Sequence, residues 1–327
     1  MAEDDDDDEW EIPAAAQPRP RDYGFDLDHA LASVVALDAT VPPDAFTANT
    51  LGTERSGNGV VIGENGLVLT IGYLITEAQD IVITANDGRE TAGHVLGYDA
   101  ASGFGLVQAL ESLDLPALPL GDSRHAEAGD PVVIGGAGGR QRSLAARIVA
   151  RQEFAGYWEY VLDDAIFTAP AHPLWGGSAL IGPEGDLLGI GSLQLQHRTS
   201  GGRAMPLNMS VPIQLLEPVY DALLTGRGGT PGRPWLGVYA QEVEGRAVVV
   251  GFAGEGPAHR AGLQEGDVIR GVGEMEITNL ADLYRSIWAA GNAGVEVPLT
   301  LEREGDVFDV KVRSADRRDF LKARRLH

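Results

Sequence analysis

"HPLWGGSALIGPEGDLLGIGSLQ", residues 172–194, decides how the chain is read. Ser178 follows two glycines and precedes an apolar run, the arrangement of a loop that presents a nucleophile. "PEGD" then turns the chain back, with Gly free to take a positive φ, and the sequence resumes as an apolar strand. Strand, tight turn and strand form a β grammar, and it extends outward. From Gly57 to about Val211, short apolar runs alternate with glycine turns. Examples are "GVVIGENGLVLT" (59–70), "DIVITANDGRETAGHVLGYD" (80–99) and "PVVIGG" (131–136). Many short strands at close spacing predict barrels or a sandwich.

Upstream, "FDLDHALASVVAL" (25–37) fits either a short helix or an entering strand. Downstream, "IQLLEPVYDALLTG" (213–226) has apolar residues at helical spacing and a glycine stop, so a closing helix is expected. "RGGTPGR" (227–233) reads as a linker. A second unit follows, with two strands in 234–252, a short helix, turn and strand in 256–273, and a hairpin in 295–313. Its amphipathic helix spans 279–289, with Leu280, Leu283 and Ile287 on one face. The expected segments are 1–24 as an acidic and Pro-rich tail, 25–226, the linker 227–233, 234–315, and a basic tail 316–327.

Composition excludes several function classes. The 327 residues include no cysteine, which removes disulfides, thiolate metal sites and a Cys nucleophile. A formal net charge of −23 disfavours nucleic acid and anionic membrane surfaces as partners. The acidic run "EDDDDDE" (3–9) is expected to be a solvated tail; the alternative is contact with a basic partner, such as the Arg-rich end of a neighbouring copy. No stretch approaches the roughly 20 apolar residues of a membrane span. The acidic start, broken by Trp10, Glu11, Ile12 and Pro13, does not resemble a signal peptide, so a cytoplasmic location is expected.

Three further motifs carry no chemistry. "IGGAGGR" (134–140) lacks the Lys-Ser/Thr of a phosphate loop, and Gln141 stands where a dinucleotide fingerprint needs glycine. The seven histidines show no ligand spacing, so neither a metal nor another cofactor is expected. Asp163 and Asp164 are neighbours in a predicted strand and face opposite sides; one is expected to be solvated and the other turn-bonded.

Several long motifs, in order, resemble the HtrA/DegP-type family, in which a trypsin-like double β-barrel precedes an α+β PDZ domain. They are "SGNGVVIGENGLVLTIGYLI" (56–75), "DGRETAGHVLGYDAASGFGLVQ" (87–108), "LPALPLGDSRHAEAGDPVVIGGAGG" (115–139) and the 172–194 stretch, then "PWLGVYAQ" (234–241) and "PAHRAGLQEGDVI" (257–269). The resemblance covers about residues 50–315 and implies a mainly β chain. It places the family's catalytic His at Tyr73, its Asp at Gly103 and its nucleophilic Ser at Gly176. All three depart from the pattern, so the resemblance implies a degenerate triad and no proteolysis. Ser178 lies two residues past the nucleophile position, and Leu180 breaks the alternative G-x-S-x-G pattern. A rearranged endopeptidase built on Ser178 and His172 is the competing enzyme reading. Tyr73 and Trp175 are expected to fill the former cleft; a small-molecule or peptide pocket there is a third reading.

The second unit keeps more of its pattern. The resemblance implies that Trp235, Leu236, Gly237 and Val238 offer backbone N–H groups to a terminal carboxylate, and that the strand beginning at Tyr239 pairs with an extended peptide. Tyr284 and Trp288 lie on the helix expected to wall that groove, either contacting the ligand or packing in the core. The partners implied are peptides or protein C-termini. An active protease relative is a further candidate, as is a trimer supported by Trp10, Ile12, Tyr23 and Phe25.

Overall fold

The structure, a computed structural model, describes residues 10–198, 202, 204–226 and 232–322. The acidic run 3–9, most of the linker and the last five residues lie outside them. Six strands form the first barrel: Val34–Thr40, Glu54–Gly63, Leu67–Ile71, Asp80–Thr84, Glu90–Tyr98 and Phe104–Ala109 (β1–β6). It closes in the order β1-β2-β3-β6-β5-β4, with Leu37 of β1 opposite both Gly57 and Ile83. The second barrel uses Pro131–Gly135, Leu144–Gly156, Tyr160–Ala169, Ala179–Ile181, Leu187–Arg198 and Ala204–Pro212 (β7–β12). It closes in the order β10-β11-β12-β9-β8-β7. Leu37, Leu69 and Phe104 from one barrel share a core with Phe167, Ile190 and Met209 from the other. Burying each such side chain contributes roughly 1.5–3 kcal/mol.

The second unit has its own core and a six-stranded sheet. Its strands are Val238–Val243, Arg246–Phe252, Val268–Val272, Met275–Glu276, Glu296–Arg303 and Asp306–Arg313 (β13–β18). The sheet runs β13-β14-β15-β17-β18, with β16 beside β15. The expected amphipathic helix is present as Leu280–Ala289, where Asn279 caps the start by accepting the Asp282 N–H at 2.8 Å. The expected fold, mainly β with a double barrel before a compact α+β unit, is the observed one.

Local readings needed correction. The 25–37 stretch is both alternatives in turn: a helix Leu27–Ala32 capped by Asp26, then β1. The closing helix is broken into 3-10 turns Ile213–Leu215 and Glu217–Val219 before the helix Tyr220–Leu224. Pro218 is the reason, since it lacks an N–H and disfavours a helical Glu217. Of the two neighbouring carboxylates, Asp163 is solvent-exposed as expected, though paired with Arg285, while Asp164 pairs with Arg151 rather than a turn. The described parts of both expected tails pack against the domains. Ile12 is buried beside Leu144 and Leu180, with Trp10 against the same cluster. Tyr23 and Phe25 pack, half-buried, on the main core. At the other end Phe320 wedges against Phe46 and Trp235, and the Lys322 N–H donates to Glu77 at 2.6 Å.

Candidate functional site

Tyr73 and Gly103 line one cleft, and Gly176 lies against the Tyr73 ring. β3 ends at Ile71, and a single helical turn, Gly72–Ile75, carries Tyr73. The Gly72 N–H donates to the Gly103 carbonyl at 2.6 Å, which fixes the second position beside the first. The Tyr73 hydroxyl donates to the Ser192 carbonyl at 2.9 Å. A Cβ on Gly176 would lie 2.7 Å from that hydroxyl, so the phenol occupies the space a serine side chain needs. Likewise, a Cβ on Gly103 would lie 3.0 Å from the Tyr160 hydroxyl, which donates to the Ser102 carbonyl at 2.9 Å. Burial pushes both phenols above their usual range, so neither is a base near neutral pH.

His172 and Ser178 are each engaged elsewhere. His172 is fully buried; its Nε2 lies 2.8 Å from the Arg142 carbonyl and its Nδ1 accepts the Leu174 N–H at 3.1 Å. One nitrogen must therefore donate while the other accepts, which is the neutral ring. Burial lowers its pKa in the same direction. Ser178, 2% exposed, donates to the Trp175 carbonyl at 2.8 Å. Among the described residues no hydrogen bond joins Ser178 to His172. The loop backbone is committed too. The Leu174 and Gly176 carbonyls accept the Asn58 amide at 3.0 and 3.1 Å, and the Leu174 N–H is taken by the imidazole. An oxyanion hole needs free donors aimed at the developing charge, and here the Leu174, Gly177 and Ser178 N–H groups are already occupied.

A second constellation lies at the start of β13. The N–H groups of Leu236, Gly237 and Val238 all donate to the Glu159 carboxylate, at 3.0, 2.6 and 3.1 Å to Oε1. Glu159 comes from the turn between β8 and β9. Burial raises its pKa to about 7, against the three donors that act to lower it. Beside it, the Ala240 N–H donates to the Tyr157 carbonyl at 2.8 Å, and Trp158 forms an antiparallel bridge with Tyr239.

The other predicted groove residues divide. Trp235 lies outside the nest, exchanging main-chain bonds with Ala315 at 3.0 Å. Tyr239 meets the Tyr157 ring edge-on at 5.5 Å. Tyr284 is fully buried in the core of the second unit and does not wall the groove. Trp288 stacks on it at 6.2 Å and carries the Arg233 guanidinium 4.6 Å above its ring. A cavity of about 820 Å³ runs from Tyr73 and Gly103, past Glu159, to Val238 and Trp288. Tyr73 and Trp175 both line this cavity, and the Tyr73 phenol fills its edge beside Gly176. Sequence reasoning missed Glu159; an acid among three aromatics at a hairpin tip, "YWEY" (157–160), was the available signal. Among the described residues no group of His, Asp or Glu could hold a metal, and no helix is long and apolar enough to cross a membrane.

Comparison with known proteins agrees with this architecture. The family described as trypsin-like peptidase domain matches residues 57–190, and the PDZ domain family matches 234–313. A probable periplasmic serine endoprotease DegP-like of Pseudomonas fluorescens is 31% identical over 273 residues, 78% of this chain and 55% of that protein. A probable periplasmic serine protease do/HhoA-like of Haemophilus influenzae is 29% identical over 274 residues, 79% of this chain and 57% of that protein. The chain thus spans about half the length of the curated relatives it matches. Among solved structures, the HtrA-type protease AlgW with decapeptide superposes with a TM-score of 0.54 at 20% identity, covering 90% of this chain and 99% of that one. The serine endoprotease from Yersinia pestis gives 0.52 at 21%, covering 89% and 98%. The expectation of a cytoplasmic location is overturned by the relatives, which are named periplasmic; an acidic N-terminal stretch was a poor guide to compartment.

Proposed function

The chain belongs to the HtrA/DegP family, a trypsin-like peptidase domain followed by a PDZ domain, and from that premise we propose that it is a pseudoprotease. Its barrels do not hydrolyse peptide bonds, and its PDZ domain captures peptide or protein C-termini, in the periplasm where its relatives are named. The observation that carries the reading is the Tyr73 phenol in the space beside Gly176, where the family has its serine. A serine hydroxyl attacks only when an adjacent base removes its proton. The cleft offers no serine at 176, no imidazole at 73 and no carboxylate at 103. Losing one triad member already removes nearly all triad-dependent rate, leaving roughly 10³–10⁴-fold over water. In this reading the protein scaffolds partners or regulates an active relative.

The rearranged endopeptidase needs the His172 imidazole to accept a proton from Ser178, yet both ring nitrogens and the hydroxyl have other partners. Wild type and Ser178→Ala are compared with a fluorophosphonate probe and unfolded casein, with an active relative as control. Neither form is expected to be labelled or to cut casein. Labelling of the wild type that disappears in the variant would sink the pseudoprotease reading.

A further inference from the structure

The β8–β9 turn occupies the PDZ groove in the manner of a peptide end. Residues 157–159 run antiparallel to β13 and approach the nest in the direction an added peptide strand would take. Tyr157 supplies the main-chain carbonyl for Ala240, and Glu159 supplies the carboxylate for Leu236, Gly237 and Val238. Strand addition and carboxylate capture by a backbone nest are the two components of terminal-peptide recognition. Gly237, with φ +72°, helps turn successive N–H groups toward one anion.

We propose that this turn is the resident ligand of the groove, and that a peptide with a free C-terminal carboxylate enters only by displacing Glu159. The proposal rests on the peptide-capture reading above and adds to it a closed state and a competitor. Other contacts hold the two units together without entering the nest: Arg285 bonds Glu153 at 2.6 Å, and Phe46 meets the Trp235 ring edge-on at 6.0 Å. Glu159 is therefore not required merely to dock the domains. A tethered ligand acts at an effective concentration in the millimolar range for short flexible links, so an outside peptide sees only the open fraction of grooves. The resident turn also indicates its competitor. Tyr157, two residues before Glu159, meets Tyr239 edge-on at 5.5 Å. The favoured class is thus a free carboxylate preceded, two residues earlier, by an aromatic side chain. Displacement would also reshape the cleft, since the neighbouring Trp158 stacks on Tyr160 at 5.6 Å and Tyr160 is bonded beside Gly103.

The test uses the full chain as wild type, Glu159→Ala and Glu159→Gln. Amide exchange is read by NMR at Leu236, Gly237, Val238 and Ala240 without peptide. Protection is expected in wild type, a drop of at least tenfold in Glu159→Ala, and an intermediate value in Glu159→Gln. A pool of pentapeptides with tyrosine two residues before a free carboxyl end is then titrated beside the same pool amidated. The free acids are expected to bind Glu159→Ala at least tenfold more tightly than wild type, and the amides to bind neither. Unchanged protection in Glu159→Ala, or equal affinity of the free acids for both forms, overturns the closed state. Binding to neither form removes the peptide-capture reading instead, and the exchange result then decides the closed state alone.

Discussion

Gly177→Ala is expected to destabilise the barrels by at least about 4 kcal/mol, the range reserved for severe backbone and packing damage. A Cβ on Gly177 would lie 1.8 Å from the Asn58 carbonyl oxygen and 2.6 Å from the Thr70 hydroxyl. The residue also holds φ at +74°, which side chains rarely adopt. The nearer obstacle is backbone, and the Thr70 hydroxyl is tied to that same carbonyl. The Asn58 oxygen belongs to β2 and accepts the Thr70 hydroxyl at 2.7 Å, and the adjacent N–H of Asn58 donates to Gly176 at 2.8 Å. Relief would require the 172–178 loop to separate from β2, loosening the contact between the two barrels. Gly88→Ala is the matched control: its φ is +83°, but nothing lies within 4 Å of the added carbon. Conformation alone costs about 1–2 kcal/mol there. Urea unfolding followed by circular dichroism compares the two; equal stability would refute the steric argument.

The PDZ domain has a comparable dependence on Asp267→Ala. Its carboxylate is 0% exposed, bonds Arg303 at 2.6 and 2.8 Å, and accepts the Gln264 N–H at 2.8 Å. Removing one member of a buried pair costs roughly 3–5 kcal/mol. The Arg303 side chain is 30% exposed and can be rehydrated, so about 2–3 kcal/mol is expected. For a domain of this size each kcal/mol lowers the midpoint by roughly 4–8 °C. Burial acts to raise the Asp267 pKa, but Arg303 and the Gln264 N–H outweigh it and hold it below the usual carboxylate range. A depressed folded pKa contributes stability that is present above the unfolded value of about 3.9 and is lost as pH falls through the folded value. Calorimetry from pH 7 down to pH 2 should show the wild-type PDZ transition falling more steeply below about pH 4 than that of Asp267→Ala. Parallel curves would show that the pair carries no net stabilisation.

The parts of the molecule legible in the sequence were those set by local rules. Glycine turns marked the hairpins, and Leu280, Leu283 and Ile287 marked the helix face. The family resemblance, not a local rule, picked out Tyr73, Gly103 and Gly176; the first two line one cleft and the third lies against the Tyr73 hydroxyl. The misreadings came where another influence prevailed. In 213–226 the helical period was interrupted by Pro218. Ile12 looked like part of a tail because its partners, Leu144 and Leu180, are distant in sequence. Glu159 and Leu236 are separated by 77 positions, and no periodicity links a hairpin tip to a nest formed by another domain. Tyr284 shows the remaining limit: helix periodicity gives its face but not its neighbour, and that neighbour is the core.

The tip between β8 and β9 has two sides. Trp158 and Tyr160 stack with their rings 15° from parallel, while Tyr157 and Glu159 meet β13 and its nest. Adding or deleting one residue there would exchange these assignments, offering an indole to the backbone donors and a carboxylate to the barrel wall. Length between residues 156 and 160 should consequently be more constrained than side-chain identity on the outer strands of the same hairpin.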